Sequence, residues 1–176
     1  NLKEEKVLNG KEIDIFLDQL FTSNFRNEIT NLTGFAYSID YFRILQNGPN
    51  KKYGAAHFDK AFSKNMLKIF IPLNTTINSG PLKVFNKVDS QLIKKGLSPA
   101  NFKQTSFLGD GEYVYAVRPN ECFHRETFPK EYSSINIMLQ LNPSKKWGCR
   151  NNLSKMQFHS EPKFSSFKFF IRKNFF

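Results

Sequence analysis

Along residues 10–22 the apolar positions return every third or fourth place. Ile13, Phe16, Leu17, Leu20 and Phe21 form one stripe, with Lys11, Asp14 and Asp18 opposite. That spacing matches the helical turn and predicts a short amphipathic helix. From residue 35 the period changes to two. Residues 35–46 alternate aromatic and polar and close at Asn47-Gly48-Pro49-Asn50, which predicts a strand and a turn. Residues 66–73 read as a second strand, ended by Pro72 and a polar stretch over 74–78. Ser79-Gly80-Pro81 then turns the chain into a strand at 82–85. Asp89 is expected to cap a short helix reaching Lys95, stopped by Gly96 and Pro99. Gly109-Asp110-Gly111 opens a strand at 112–117, and residues 134–141 form the most regular late strand. Short strands, Gly/Pro punctuation and one N-terminal helix predict a mainly β domain, a sandwich or barrel with helical decoration.

Composition bounds this picture. The 176 residues fit one domain able to bury its own core. The longest uncharged apolar run, 69–73, falls far short of the roughly 18 residues of a bilayer span. No basic-then-apolar leader opens the sequence, so a cytoplasmic protein with no membrane span is expected. The sequons at Asn31, Asn74 and Asn152 carry no weight without such a leader, and Cys122 and Cys149 make neither a disulfide framework nor a C-x-x-C zinc pattern.

The 26 basic residues against 15 acidic give a net charge of +11, which invites a phosphate-binding reading. Six of them are Arg and 20 are Lys, whereas base-edge and bidentate phosphate recognition favour Arg. Lys, Phe, Asn and Ile also share AT-rich codons, so genome composition accounts for the charge and the 20 phenylalanines together. Residues 143–176 hold eight basic residues against Glu161, +7 of the +11, and seven of the phenylalanines. The reading is a single domain over 1–176, with a core at about 35–141 and a basic, Phe-rich extension at 143–176. That extension is expected to pack on the sheet, since exposed phenylalanines would be an aggregation liability. It is also a candidate contact with a second copy of the chain. No specific nucleic acid is expected as a partner.

Candidate chemistry concentrates in two places. His57-Phe58-Asp59 puts an imidazole and a carboxylate two residues apart, on one face of an extended segment. His124 follows 67 residues later, a gap that holds three or four strands with their loops. A sandwich of this size can bring His124 opposite His57 and Asp59. Two imidazoles and one carboxylate on one face of a metal leave positions open, the arrangement of non-haem Fe(II) oxygenases. His159, in the basic extension, is expected to be solvated or packed.

The flanks follow in a definite order. Residues 41–46 make a strand, and Tyr53 precedes His57. The strand at 67–73, Ser79-Gly80-Pro81-Leu82-Lys83-Val84, Gly109-Asp110 and the segment Glu121-Cys122-Phe123-His124-Arg125 come next, with Pro129 and a final apolar strand. In this order the chain resembles the Fe(II)/2-oxoglutarate-dependent dioxygenase superfamily, nearest to its prolyl-4-hydroxylase-like and phytanoyl-CoA-hydroxylase-like branches. The resemblance covers residues 41–141. It implies a double-stranded β-helix, a jelly roll, with His57, Asp59 and His124 as iron ligands and 2-oxoglutarate and O2 as co-substrates. It also implies hydroxylation of a C–H bond in a small molecule or peptide, with formation of succinate and CO2.

Most members hold the distal carboxylate of 2-oxoglutarate with an Arg or Lys on the strand after the second histidine. Here Ser133, Ser134 and Ile135 stand there. Lys68 is the expected substitute, with Arg43 and Lys130 as others, and with hydrogen bonds from Ser134, Asn136 and Tyr53. Tyr37, Tyr41 and Tyr53 are candidates to line the pocket, or simply core. Related halogenases replace the metal carboxylate with a small residue, so Asp59 favours hydroxylation. Nucleic-acid demethylases of the superfamily carry two suitably spaced Arg after the second histidine, and this chain does not. Arg125 is expected to point away from the metal, and Cys122 to pack as a small apolar group. The readings from other classes are a cupin-like or non-catalytic metal-binding β domain, and a basic module that binds anionic surfaces. The substrate itself is not written in these residues.

Overall fold

Period-two alternation from Ala36 becomes a long strand because alternate residues have two separate cores to fill. The structure, a computed structural model, describes residues 10–48, 55–59, 63 and 65–149. Two helices come first, α1 (Gly10–Leu20) and α2 (Ser23–Thr33), followed by β1 (Ala36–Asn47). Then come β2 (Leu67–Asn74), β3 (Leu82–Phe85), α3 (Lys87–Lys94) and β4 (Gln104–Ser106). The chain continues through β5 (Tyr115–Val117), β6 (His124–Glu126), β7 (Ser134–Ser144) and β8 (Gly148–Cys149). The strands form a five-stranded sheet, ordered β5-β2-β7-β1-β8, and a three-stranded sheet, ordered β4-β3-β6. This is the jelly roll expected from the sequence.

Each face of the larger sheet has its own core. Outside, Ile13 and Leu17 of α1, Phe21 just past its end and Ile29 of α2 cover Ile69, Leu139 and Leu141. Inside, Phe70 and Met138 meet Leu82, Val84, Phe107 and Val117. β7 serves both cores by strict alternation, with Leu139 and Leu141 fully buried on the helix side and Met138 on the inner side. In β1 the alternation slips once, at an irregularity between Ile39 and Tyr41. Tyr37 and Ile39 before it and Phe42 after it all face the helices, while Tyr41 and Leu45 face inward.

Several expectations are corrected. The single N-terminal helix is two. Thr22 caps α2 by accepting the Phe25 N–H at 3.3 Å, and Gly34 ends it in the left-handed region at φ 79°. Its sequence is so polar that Ile29 is its one buried residue, which hid it from a periodicity reading. Asn86, not Asp89, caps α3; its side chain accepts the Asp89 N–H at 2.8 Å. The strand expected at 112–117 shrinks to Tyr115–Val117, because Gly111 binds back to Pro72 O and Thr75 pairs with Gly109.

The folded body also runs past the expected core limit of 141 and past the start of the extension at 143. β7 continues to Ser144, and β8 pairs parallel with β1 at Ser38 and Ile39. Between them Trp147 packs on Phe21 and Tyr37, and its indole N–H donates to Thr30 Oγ1 at 3.1 Å. Tyr53, His159 and residues 150–176, with most of the Phe-rich extension, lie outside the described residues. Among the described residues no helix is long and apolar enough to cross a membrane.

Candidate metal centre

His57 and His124 meet through their backbones. The His57 N–H donates to His124 O at 2.9 Å, and the His124 N–H donates to His57 O at 3.0 Å. This isolated antiparallel bridge extends the β3–β6 edge of the smaller sheet by one residue pair. Two residues on, the Asp59 N–H binds Pro119 O at 2.9 Å, so the His57–Asp59 segment stays extended and both side chains face one way. The two imidazole centroids lie 4.7 Å apart.

Backbone carbonyls orient both rings. His57 Nδ1 lies 3.0 Å from Ala55 O, and His124 Nδ1 lies 2.8 Å from Cys122 O. A carbonyl only accepts, so each Nδ1 carries the hydrogen and each Nε2 is left with a free lone pair. Both Nε2 atoms then converge on one oxygen, each 3.4 Å from Asp59 Oδ1. The three donor atoms all lie within 4.8 Å of one another. Two donors at right angles on an ion, each about 2.1 Å from it, stand about 3 Å apart, so the group fits a transition-metal ion after small adjustments. Two imidazoles and a carboxylate suit Fe, Zn, Ni or Cu and leave coordination positions for other ligands.

Lys68, on β2, is ion-paired through Nζ to Asp59 Oδ2. It holds one carboxylate oxygen and leaves Oδ1 for the imidazoles, which favours one-oxygen coordination. Burial alone would raise the Asp59 pKa. The charge and hydrogen bond of the Lys68 ammonium, with the His124 imidazole beside it, outweigh that cost and hold the carboxyl well below its ordinary range. The site is asymmetric in exposure: the His57 side chain is 56% exposed, and that of His124 only 10%. A ligand therefore enters past His57, with His124 at the back.

Replacing Lys68 with Met is expected to destabilise the metal-free protein by about 1–2 kcal/mol, between the values of exposed and buried pairs. The loss shrinks when Zn(II) or Fe(II) supplies the missing countercharge. A carboxyl lowered on folding contributes stability above its unfolded value of about 4 and loses it as pH falls towards the folded value. The gap between wild type and variant is therefore full at pH 7 and narrows below about pH 4. Urea unfolding with and without metal, across that range, checks it.

The other expected residues separate into distinct places. Ser134 and Asn136 lie on the inner face of β7, four to six residues deeper than Gln140, which pairs with Lys68. Their oxygens serve the 75–80 loop: Ser134 Oγ donates to Gly80 O at 3.4 Å, and Asn136 Oδ1 accepts from Thr75 Oγ1 at 3.3 Å. Tyr37 is core, fully buried on the helix side, with its hydroxyl donating to Asn65 O. Arg125 is exposed on the outer face, across from Lys83. Cys122 packs against the inner core, and burial pushes its thiol up. The orienting carbonyls of Ala55 and Cys122 went unforeseen, because any residue supplies a carbonyl.

No known family model matches the sequence, and no curated protein matches it. Solved structures do. EctD from S. alaskensis, crystallised with bound Fe, superposes with a TM-score of 0.58 over 85% of this chain at 13% identity. EvdMO1 superposes with a TM-score of 0.51 over 72% of this chain at 16% identity. The likeness is one of fold. It supports the jelly-roll fold that the resemblance implied. The matches span 63% of EctD and 32% of EvdMO1, so this chain corresponds to less than two thirds of either.

Proposed function

We propose that this protein is a non-haem Fe(II) oxygenase that consumes 2-oxoglutarate and O2 and hydroxylates a C–H bond of a small-molecule or peptide substrate. The observation that carries the reading is the convergence of His57 Nε2 and His124 Nε2 on Asp59 Oδ1, on a jelly-roll scaffold. His57, Asp59 and His124 would hold the iron, which with its co-substrates supplies an oxidant able to attack an unactivated C–H bond. The chain's own part is positional. Ala55 O and Cys122 O fix the imidazole tautomers, Lys68 keeps Asp59 ionised and turned, and the inner apolar core walls the back of the site from water. Lys68 and Tyr53 are the proposed contacts of the co-substrate near the metal, whereas Ser134 and Asn136, deeper on β7, serve the 75–80 loop. Lys68 supports this by lying at the metal ligands.

The test is succinate formation from 2-oxoglutarate, which occurs at a slow uncoupled rate even without the true substrate. It should require both Fe(II) and O2. A protein that binds iron tightly yet forms no succinate under any of these conditions is the cupin-like metal-binding domain instead. The absence of a basic residue at Ser134 favours that second reading.

A further inference from the structure

Two cations lie on the inner faces of the two sheets among the described residues. One is Lys68, already paired with Asp59. The other is Arg43, in the middle of β1. It sits between Tyr41 and Leu45, both of which pack on the inner core, so the alternation of the strand puts Arg43 on the same face. Its cross-strand partner on β7 is Met138, an inner-core residue, and Met138 in turn faces Phe70 on β2. Arg43 is half-buried, and among the described residues none forms an ion pair or hydrogen bond with it. A guanidinium drawn partly out of water without an anion is a costly arrangement, and a ligand carboxylate relieves it.

Register says how far this charge lies from the metal ligands. Lys68, Gln140 and Tyr41 form one cross-strand row, beside Asp59. Phe70, Met138 and Arg43 form the next row inward, about 7 Å along the strands. The four carbon–carbon bonds of a five-carbon diacid span about 5 Å from one carboxyl carbon to the other. A diacid whose first carboxylate reaches the metal thus places its second beside the Arg43 row. At the deeper rows Ser134 is tied to Gly80 O, and neither Asn136 nor Leu45 carries a charge.

Resting on the oxygenase reading above, we infer that Arg43 holds the distal carboxylate of the 2-oxo diacid. The anchor thereby moves from the start of β7 to the neighbouring strand β1. Arg43 does this through a two-pronged, charge-assisted contact that a monoacid cannot make.

The experiment compares two acids on the Fe(II)-loaded full chain, kept free of oxygen. These are 2-oxoglutarate and 2-oxobutyrate, which lacks the second carboxylate. Dissociation constants come from calorimetry, and iron content is measured separately. Arg43→Met should weaken 2-oxoglutarate about 10–100-fold while leaving iron content and 2-oxobutyrate affinity unchanged. Arg43→Lys, which keeps the charge but not the fork, should fall between. Unchanged 2-oxoglutarate binding in Arg43→Met overturns the inference, and so does an equal loss for both acids, which marks a structural role. A wild type that takes iron but not 2-oxoglutarate overturns it while leaving the metal centre intact. A wild type that takes no iron overturns the oxygenase reading itself.

Discussion

His124→Ala is expected to reduce iron from about one per chain to nearly none, without unfolding the protein. His124 is the proposed ligand at the back of the site, 8% exposed, with its ring fixed by Cys122 O and its Nε2 aimed at Asp59 Oδ1. Even residues that merely orient metal ligands are worth about 10–100-fold in affinity, so losing one of three ligands should cost more than about 100-fold. The fold should survive, because the pairing of His57 with His124 uses backbone atoms that alanine keeps. His57→Ala should weaken iron less, since that ring stands at the exposed rim where water can replace it. Metal analysis after dialysis, with circular dichroism as the folding control, decides the matter. A His124→Ala protein that keeps its iron would show the three residues to be bystanders.

Gly80→Ala should destabilise the protein by about 2–5 kcal/mol and weaken iron binding as well. Gly80 has φ 80°, where a side chain costs about 1–2 kcal/mol. An added Cβ would also lie 2.6 Å from Thr127 O and 2.9 Å from Pro129 N, both backbone atoms, and such overpacking adds about 1–3 kcal/mol. Gly96 separates the two causes. Its φ is 104°, yet nothing lies within 4 Å of an added Cβ, so Gly96→Ala should show the backbone cost alone. The link to the metal is local: Thr127 directly follows β6, which begins at His124, while Gly80 O accepts from Asn47 Nδ2 and Ser134 Oγ. Displacing Gly80 therefore disturbs β6 and the entry to β7 together. Urea unfolding of both variants, with iron titration of each, checks the prediction; equal losses at the two glycines would refute the overlap.

What could be read in the sequence divides along physical lines. Where one residue type had one neighbourhood, the pattern sufficed: the stripe of α1, the alternation of β7 and the H-x-D segment all lie where expected. Elements held by caps and partners rather than by apolar period did not show. α2 depends on Thr22 and Gly34, and β4 and β6 are three-residue strands that exist because β3 lies between them. In the site, the three residues of the candidate metal group were readable because metal chemistry restricts residue type. The Lys68–Asp59 pair was not foreseen, since it joins two elements whose approach only the folded sheet defines. The inward direction of Arg43 depended likewise on the slip between Ile39 and Tyr41, which inverts the parity of β1 part-way along.

Among the described residues β7 is the last long strand, and it is the middle strand of the larger sheet, between β1 and β2. During vectorial synthesis on the ribosome, β1 and β2 emerge with no partner between them and wait for some sixty more residues. Until residue 144 has cleared the exit tunnel, both present open edges and half of two unfinished cores to their surroundings. Contacts this distant in sequence also form slowly once the chain is complete. The nascent protein thus passes through a stage in which open edges and apolar faces favour self-association, and the arrival of β7 joins β1 to β2 and closes both cores.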